Sequence, residues 1–155
     1  MKRFEAIETI RRPAEEVWDY AADILRHPEW MSVQNARVLE GDGTQVGARG
    51  VERQLLGPFK LDIEFEVAEA VPGRRIAWRG DDPRFDMEYV LDLEPLPDRT
   101  TQATWRAAIG LRGAWRLLTP MLGMEGAASL RRELGSLKAN LEAQPGIAAA
   151  GRPAP

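Results

Sequence analysis

His27 is the only histidine in this 155-residue chain, and there is no cysteine. Any imidazole acid–base step must therefore use one residue, and thiolate catalysis, thiolate metal sites and disulfides are excluded. His27 lies just before Pro28, at the end of a short helical region, where capping and solvent-facing roles are common. One histidine cannot build a three-histidine or His-Glu-His zinc site. Asp81 and Asp82, the nearest approach to a carboxylate cation site, stand between Gly80 and Pro83 and read as turn residues. Ser32, Ser129 and Ser136 lack the strand-turn-helix setting of a nucleophile elbow. Gly41-Asp42-Gly43, with Gly47 and Gly50 nearby, falls between strands, not at a strand-to-helix turn, so no phosphate-binding loop is present. These exclusions leave no metal and no cofactor in the expectation.

The remaining polar candidates lie in one segment, 47–56. There Arg49 and Arg53 alternate onto the same face as Val51 and Leu55, while Glu52 and Gln54 share the other with Ala48 and Gly50. Whichever face turns inward carries at least one polar group toward the interior or its rim, and a buried charge needs a partner. The direction of this strand stays open at the level of sequence. Glu52, Arg53 and Gln54 are the candidate polar contacts to a ligand. Should the chain be an enzyme, His27, Glu52 and Arg53 are the residues to test.

Elements that could position these groups follow from hydrophobic period. Residues 61–67 alternate Leu61, Ile63, Phe65 and Val67 against Asp62, Glu64 and Glu66. Residues 85–94 repeat the pattern, with Phe85, Met87, Tyr89, Leu91 and Leu93 against acids, broken only by Val90. Such alternation marks antiparallel strands with one buried face. Gly57-Pro58, Pro72-Gly73, Gly80-Asp81-Asp82-Pro83 and Pro95-Leu96-Pro97-Asp98 read as turns between runs. Seven strands are predicted, at 3–10, 32–40, 47–56, 60–70, 74–79, 85–94 and 100–109, paired as a meander. Pro13 with Glu15 and Glu16 opens a short helix that breaks near Asp23. Thr119-Pro120 offers an N-cap for a second helix over 120–142, of about 34 Å at 1.5 Å per residue. Its apolar stripe runs through Leu117, Met121, Met124, Ala127, Leu130, Leu134, Leu137 and Leu141.

The architecture so read is α+β: a curved antiparallel sheet gripping a long C-terminal helix around an internal cavity. Gly123 and Gly126, with Ala127, Ala128 and Ser129, place small residues in the helix's N-terminal half. A glycine inside a helix costs about 1 kcal/mol relative to alanine, so close approach or empty volume is wanted there. Expected cavity residues on the sheet side are Trp30, Val51, Arg53, Phe65, Trp78, Phe85, Met87, Tyr89 and Trp105. From the helix come Met121, Met124, Ala127 and Ala128. The same aromatic and methionine side chains serve equally well as core.

Hydrophobic residues make up 44% and charged residues 29%, and the formal net charge of −3 is spread along the chain. A nucleic-acid partner is not expected from that distribution. The N-terminus lacks an apolar signal core and no apolar run reaches the ~18 residues of a membrane span. A cytoplasmic location without stable membrane insertion is the resulting expectation. One domain over 1–143 and a disordered tail over 144–155 complete the organisation; oligomeric state is left open.

Ile10-x-x-Pro13-x-x-x-Val17-Trp18, Asp23 and Pro28-x-Trp30 carry a family resemblance. They are joined by Gly47, Pro72-Gly73-Arg74-Arg75-Ile76, Pro95 and Thr101. Over about 3–142 the chain resembles the START-like (SRPBCC) helix-grip superfamily, in its polyketide cyclase/dehydrase-like branch. The resemblance implies the order β-α-α-β6-α and a deep cavity between sheet and helix. It implies a small hydrophobic ligand such as a lipid, polyketide or isoprenoid, and it transfers no catalytic set. Carrier or sensor is the leading expectation; a cyclase or dehydratase, or a protein-interaction module without internal ligand, are the alternatives.

Overall fold

The structure is a computed structural model and describes residues 1–56 and 58–144. Its elements run β1 (Lys2–Ile10), α1 (Ala14–Ala22), a 3₁₀ turn (Ile24–Arg26), α2 (His27–Trp30), β2 (Val33–Glu40), β3 (Arg49–Leu56) and β4 (Phe59–Val71). They continue with β5 (Arg75–Asp82), β6 (Phe85–Leu96), β7 (Thr100–Leu111), a second 3₁₀ segment (Gly113–Leu118) and α3 (Thr119–Ala143). All seven strands form one antiparallel sheet in the order β1-β7-β6-β5-β4-β3-β2. The predicted meander is present from β2 to β7, and β1 closes onto β7. The expected disordered tail lies outside the described residues except for Gln144. Among the described residues, no helix is long and apolar enough to cross a membrane.

The first helical region starts as its sequence dictates. Pro13 occupies the cap position, Glu15 and Glu16 sit in the first turn, and Val17, Ala21 and Ile24 are wholly buried. Asp23 stops α1 and restarts the chain, its side chain accepting from the Leu25 amide at 3.1 Å. The Trp18 indole donates to the Arg75 carbonyl at 3.0 Å, which pins α1 to β5.

Two local expectations need correction. Thr119 is not the cap of α3 but its first residue: Leu118 stands at the cap position without a side-chain hydrogen bond, because the helix continues from the 3₁₀ segment before it. Gly80 to Asp82 belong to β5 and not to the turn that follows. The Asp82 carboxylate accepts from the Arg84 amide at 2.8 Å and from its guanidinium at 2.8 and 2.6 Å, which holds the β5–β6 turn at Pro83-Arg84. Its chemistry is that of a turn clamp.

Helix α3 divides into two halves. Leu130, Glu133, Leu134, Leu137 and Leu141 are buried, whereas only Gly126 is buried before them. The C-terminal end is latched to the end of β1. The Glu142 carboxylate accepts from the Arg11 amide at 2.9 Å and from the Arg11 guanidinium at 3.1 Å, and it pairs with Lys138 at 3.2 Å. Desolvation alone would raise this carboxyl, but the Arg11 and Lys138 interactions prevail and hold it at about 2.

Candidate functional site

Beneath α1 and α2 the concave face is largely filled. Trp30 and Trp78 each pack against Trp105, with ring centroids 5.2 and 5.9 Å from it, and Tyr89 stacks on Trp105 at 5.3 Å. Phe65 and Trp78 flank His27 at 5.8 and 5.2 Å. This aromatic wedge is core of the kind dense packing requires.

Under the N-terminal half of α3 the space is open. A cavity of about 140 Å³ lies between the sheet and the helix. Leu61, Ile63, Phe85 and Met87 form its sheet wall, while Met121, Leu122, Gly126 and Leu130 roof it from α3. Its polar lining is Ser32, Gln54, Tyr89, Ser129 and Glu133, with the exposed Glu125 at the rim. A second chamber of about 20 Å³ adjoins it, sharing Met31, Gln54, Ile63, Met87 and Tyr89, and ends at His27 and Glu52. Gly80 helps make this chamber: it lies on the inner face of β5, where a Cβ would stand 3.2 Å from Met87.

Gly126 answers why a glycine sits inside the helix. A Cβ there would come within 2.3 Å of the Phe4 ring, so close approach of α3 to β1 requires its absence. A wider recess of about 290 Å³ between α1 and the end of α3 is a solvent-facing groove among charged side chains such as Arg12, Glu16 and Arg26.

Two buried carboxyl groups stand at these chambers, Glu133 at the larger and Glu52 at the smaller. Glu52, 4% exposed, bonds His27 Nδ1, and His27, 1% exposed, is held on its other side by the Ala21 carbonyl, 3.1 Å from Nε2. A carbonyl only accepts, so Nε2 carries a proton, and both ring nitrogens are committed within the chain. His27 thus positions Glu52 and has no free nitrogen for a substrate. Glu133, 6% exposed, accepts from the Trp105 indole at 2.7 Å, the Ser32 amide at 3.3 Å and the Ser129 hydroxyl at 3.2 Å. Desolvation raises its carboxyl above the ordinary value against the lowering effect of these donors. Burial raises the Tyr89 hydroxyl too, reinforced by the negative charges of Glu133 and Glu52. The buried Trp78 indole N–H, beside the smaller chamber, lacks an acceptor among the described residues.

The structure answers which face of β3 turns inward. Gly50, Glu52 and Gln54 pair in register with the inner residues Phe65, Ile63 and Leu61 of β4. Arg53 and Val51 therefore face outward, contrary to their expected place in the cavity. The Arg53 guanidinium meets Asp62 at 2.9 Å in a ladder of surface ion pairs that includes Arg49 with Glu64 at 2.8 Å. Val51 is buried between outward neighbours, with Arg37 and Glu64 as its register partners. On the helix Met124 is 83% exposed, and neither it nor Ala127 and Ala128 line the cavity. Phe85, Met87, Tyr89 and Met121 do line it; Phe65 and Trp78 border only the small chamber, and Trp30 and Trp105 line neither. Glu133 was missed, although the signal was present: it lies three residues after Leu130 and four before Leu137, on the buried stripe of α3.

The chain matches the polyketide cyclase/dehydrase and lipid transport family over residues 1–142 and belongs to it. Its fold is the START-like helix-grip fold, a curved seven-stranded sheet around a long C-terminal helix. Among solved structures it is similar to TTHA0849 from Thermus thermophilus, at 16% identity and a TM-score of 0.76 over 92% of this chain and 98% of that one. It is similar to the Zhui aromatase/cyclase from Streptomyces sp. R1128, at 19% identity and 0.73 over 94% and 99%. A START superfamily protein from Mycobacterium smegmatis aligns at 14% identity and 0.75 over 90% and 97%. At these identities the likeness is one of fold. A search of curated proteins finds no match.

Proposed function

We propose that the protein binds a small, largely apolar molecule inside the cavity beneath α3, as a carrier or sensor. The observation that carries this reading is the 140 Å³ space, walled by aliphatic and aromatic side chains with a few polar groups from β3 and α3. A single water needs roughly 10–15 Å³ by the same measure, and an apolar cavity of about 150 Å³ accommodates benzene. The volume therefore suits a ligand of one or two rings, with any longer part emerging at the mouth. Burial of apolar ligand surface supplies affinity at about 25 cal/mol per Å², before the costs of association.

Titration with the neutral two-ring fluorescent probe 1-aminonaphthalene tests this. Saturable binding is expected in wild type and is expected to be lost in a folded Leu122→Trp variant, where the indole fills the roof of the cavity. Absence of saturable binding in wild type, or binding that the plug leaves unchanged, rejects an internal site and favours the interaction-module reading.

One observation favours a catalytic reading as second choice. Glu133, with its carboxyl raised by burial, lines the same cavity as Tyr89, an arrangement suited to general acid chemistry on an enclosed substrate. On that reading proton transfer falls to Glu133 and not to His27, whose nitrogens are both engaged, or Arg53, which faces solvent.

A further inference from the structure

We propose that the cavity selects ligands whose buried polar end is an amine, bound as ammonium against Glu133, and rejects the corresponding carboxylates. This rests on the ligand-binding reading above and names the ligand's chemistry. The first ground is charge. Among the described residues lining the cavity none is lysine or arginine, whereas Glu125 stands at its rim and Glu133 in its wall. Glu52 lies one chamber deeper, and His27 beside it is wholly engaged by Glu52 and Ala21. A carboxylate ligand would enter this cavity, beside the carboxyl group of Glu133, without a cation to meet it, and a buried unpaired charge is heavily disfavoured.

The second ground is unused acceptor capacity. A carboxylate offers about four lone-pair sites. Glu133 receives three donors, Trp105, Ser32 and Ser129, two of them at 3.2 Å or longer. An ammonium has donors and no acceptor, so it complements this group and the adjacent hydroxyls of Ser32 and Ser129. Burial favours the protonated carboxyl in the free protein. An entering neutral amine is the stronger base and takes that proton from the Glu133 oxygen, so no net charge is carried into the cavity.

The test compares three ligands on one skeleton, 3-phenylpropylamine, 3-phenylpropan-1-ol and 3-phenylpropanoate, by calorimetry with wild type and Glu133→Gln. The glutamine carbonyl still accepts from the Trp105 indole, so the variant retains its principal internal bond. Wild type is expected to bind amine at least about tenfold more tightly than carboxylate, and Glu133→Gln to reduce that ratio to about threefold or less while alcohol binding persists. Equal binding of amine and carboxylate by wild type overturns the inference without need of any variant. A preference that survives Glu133→Gln removes Glu133 from the role. Failure of all three ligands, the alcohol included, rejects the binding reading itself.

Discussion

Glu133 joins the cavity's chemistry to the stability of the fold. Its carboxyl is raised by desolvation, so the folded chain holds that proton more tightly than the unfolded chain does. The stabilisation from this group is complete below the ordinary glutamate value of 4.5 and is lost as pH rises through the folded value. Glutamine cannot titrate. Glu133→Gln is therefore expected to gain stability relative to wild type as the pH rises above 4.5, as read from urea unfolding at each pH. A constant difference across that range would show that Glu133 is not perturbed by burial. The other acids near the site, Glu125 at the rim and Glu52 in the deeper chamber, are present in both proteins and cancel to first order. Sequence patterning showed that β3 turns at least one polar group inward but could not choose between its faces. That choice depends on pairing with β4, a tertiary fact.

At the scale of elements, the strands were legible because alternation is strict where one face is buried and the other carries ion pairs. The register bears this out: Asp62 and Glu64 of β4 stand on the outer face with Arg53 and Arg49 of β3, Asp62 directly opposite Arg53. The helix was legible in extent but not in orientation. Its stripe of apolar residues continues through Met121 and Met124, and period alone cannot say that Met124 points to solvent. Small residues in that half had two readings, close approach and empty volume, and the structure uses both: Gly126 lies against Phe4 and also lines the cavity. Gly126→Ala tests the balance. Helix propensity alone would stabilise it by about 1 kcal/mol, whereas overpacking of a fixed ring costs about 1–3 kcal/mol. The Phe4 ring is expected to win, giving a lower Tm, with stability recovered in Phe4→Leu/Gly126→Ala. A rise in Tm for the single variant would mean that Phe4 swings aside without loss.

The whole molecule is asymmetric along α3, and that asymmetry connects packing with function. One end of the sheet is filled by Trp30, Trp78, Trp105 and His27, and the facing half of the helix buries Leu134, Leu137 and Leu141 before the Glu142 latch. The other end holds the cavity, and the helix over it buries only Gly126. Apolar contacts that would oppose local opening are thus concentrated in the C-terminal half. Segments with few buried contacts open at lower free energy than the core, and sites that admit ligands are drawn from them. Amide hydrogen exchange is expected to be at least about tenfold faster over 121–128 than over 130–141, a difference set by packing because both segments are helical. A ligand in the cavity supplies the missing contacts chiefly under the first segment, with Leu130 and Glu133 at the start of the second. A ligand that is lost on unfolding slows the second segment, which exchanges near the global limit, through linkage. Saturating probe is expected to slow 121–128 as well, because opening of the roof breaks the site. Protection of 130–141 with 121–128 unchanged would show that the roof opens without releasing the ligand and would remove the N-terminal half as the entrance. Protection of both would identify the roof of the cavity as the part of the fold that opens to admit the ligand.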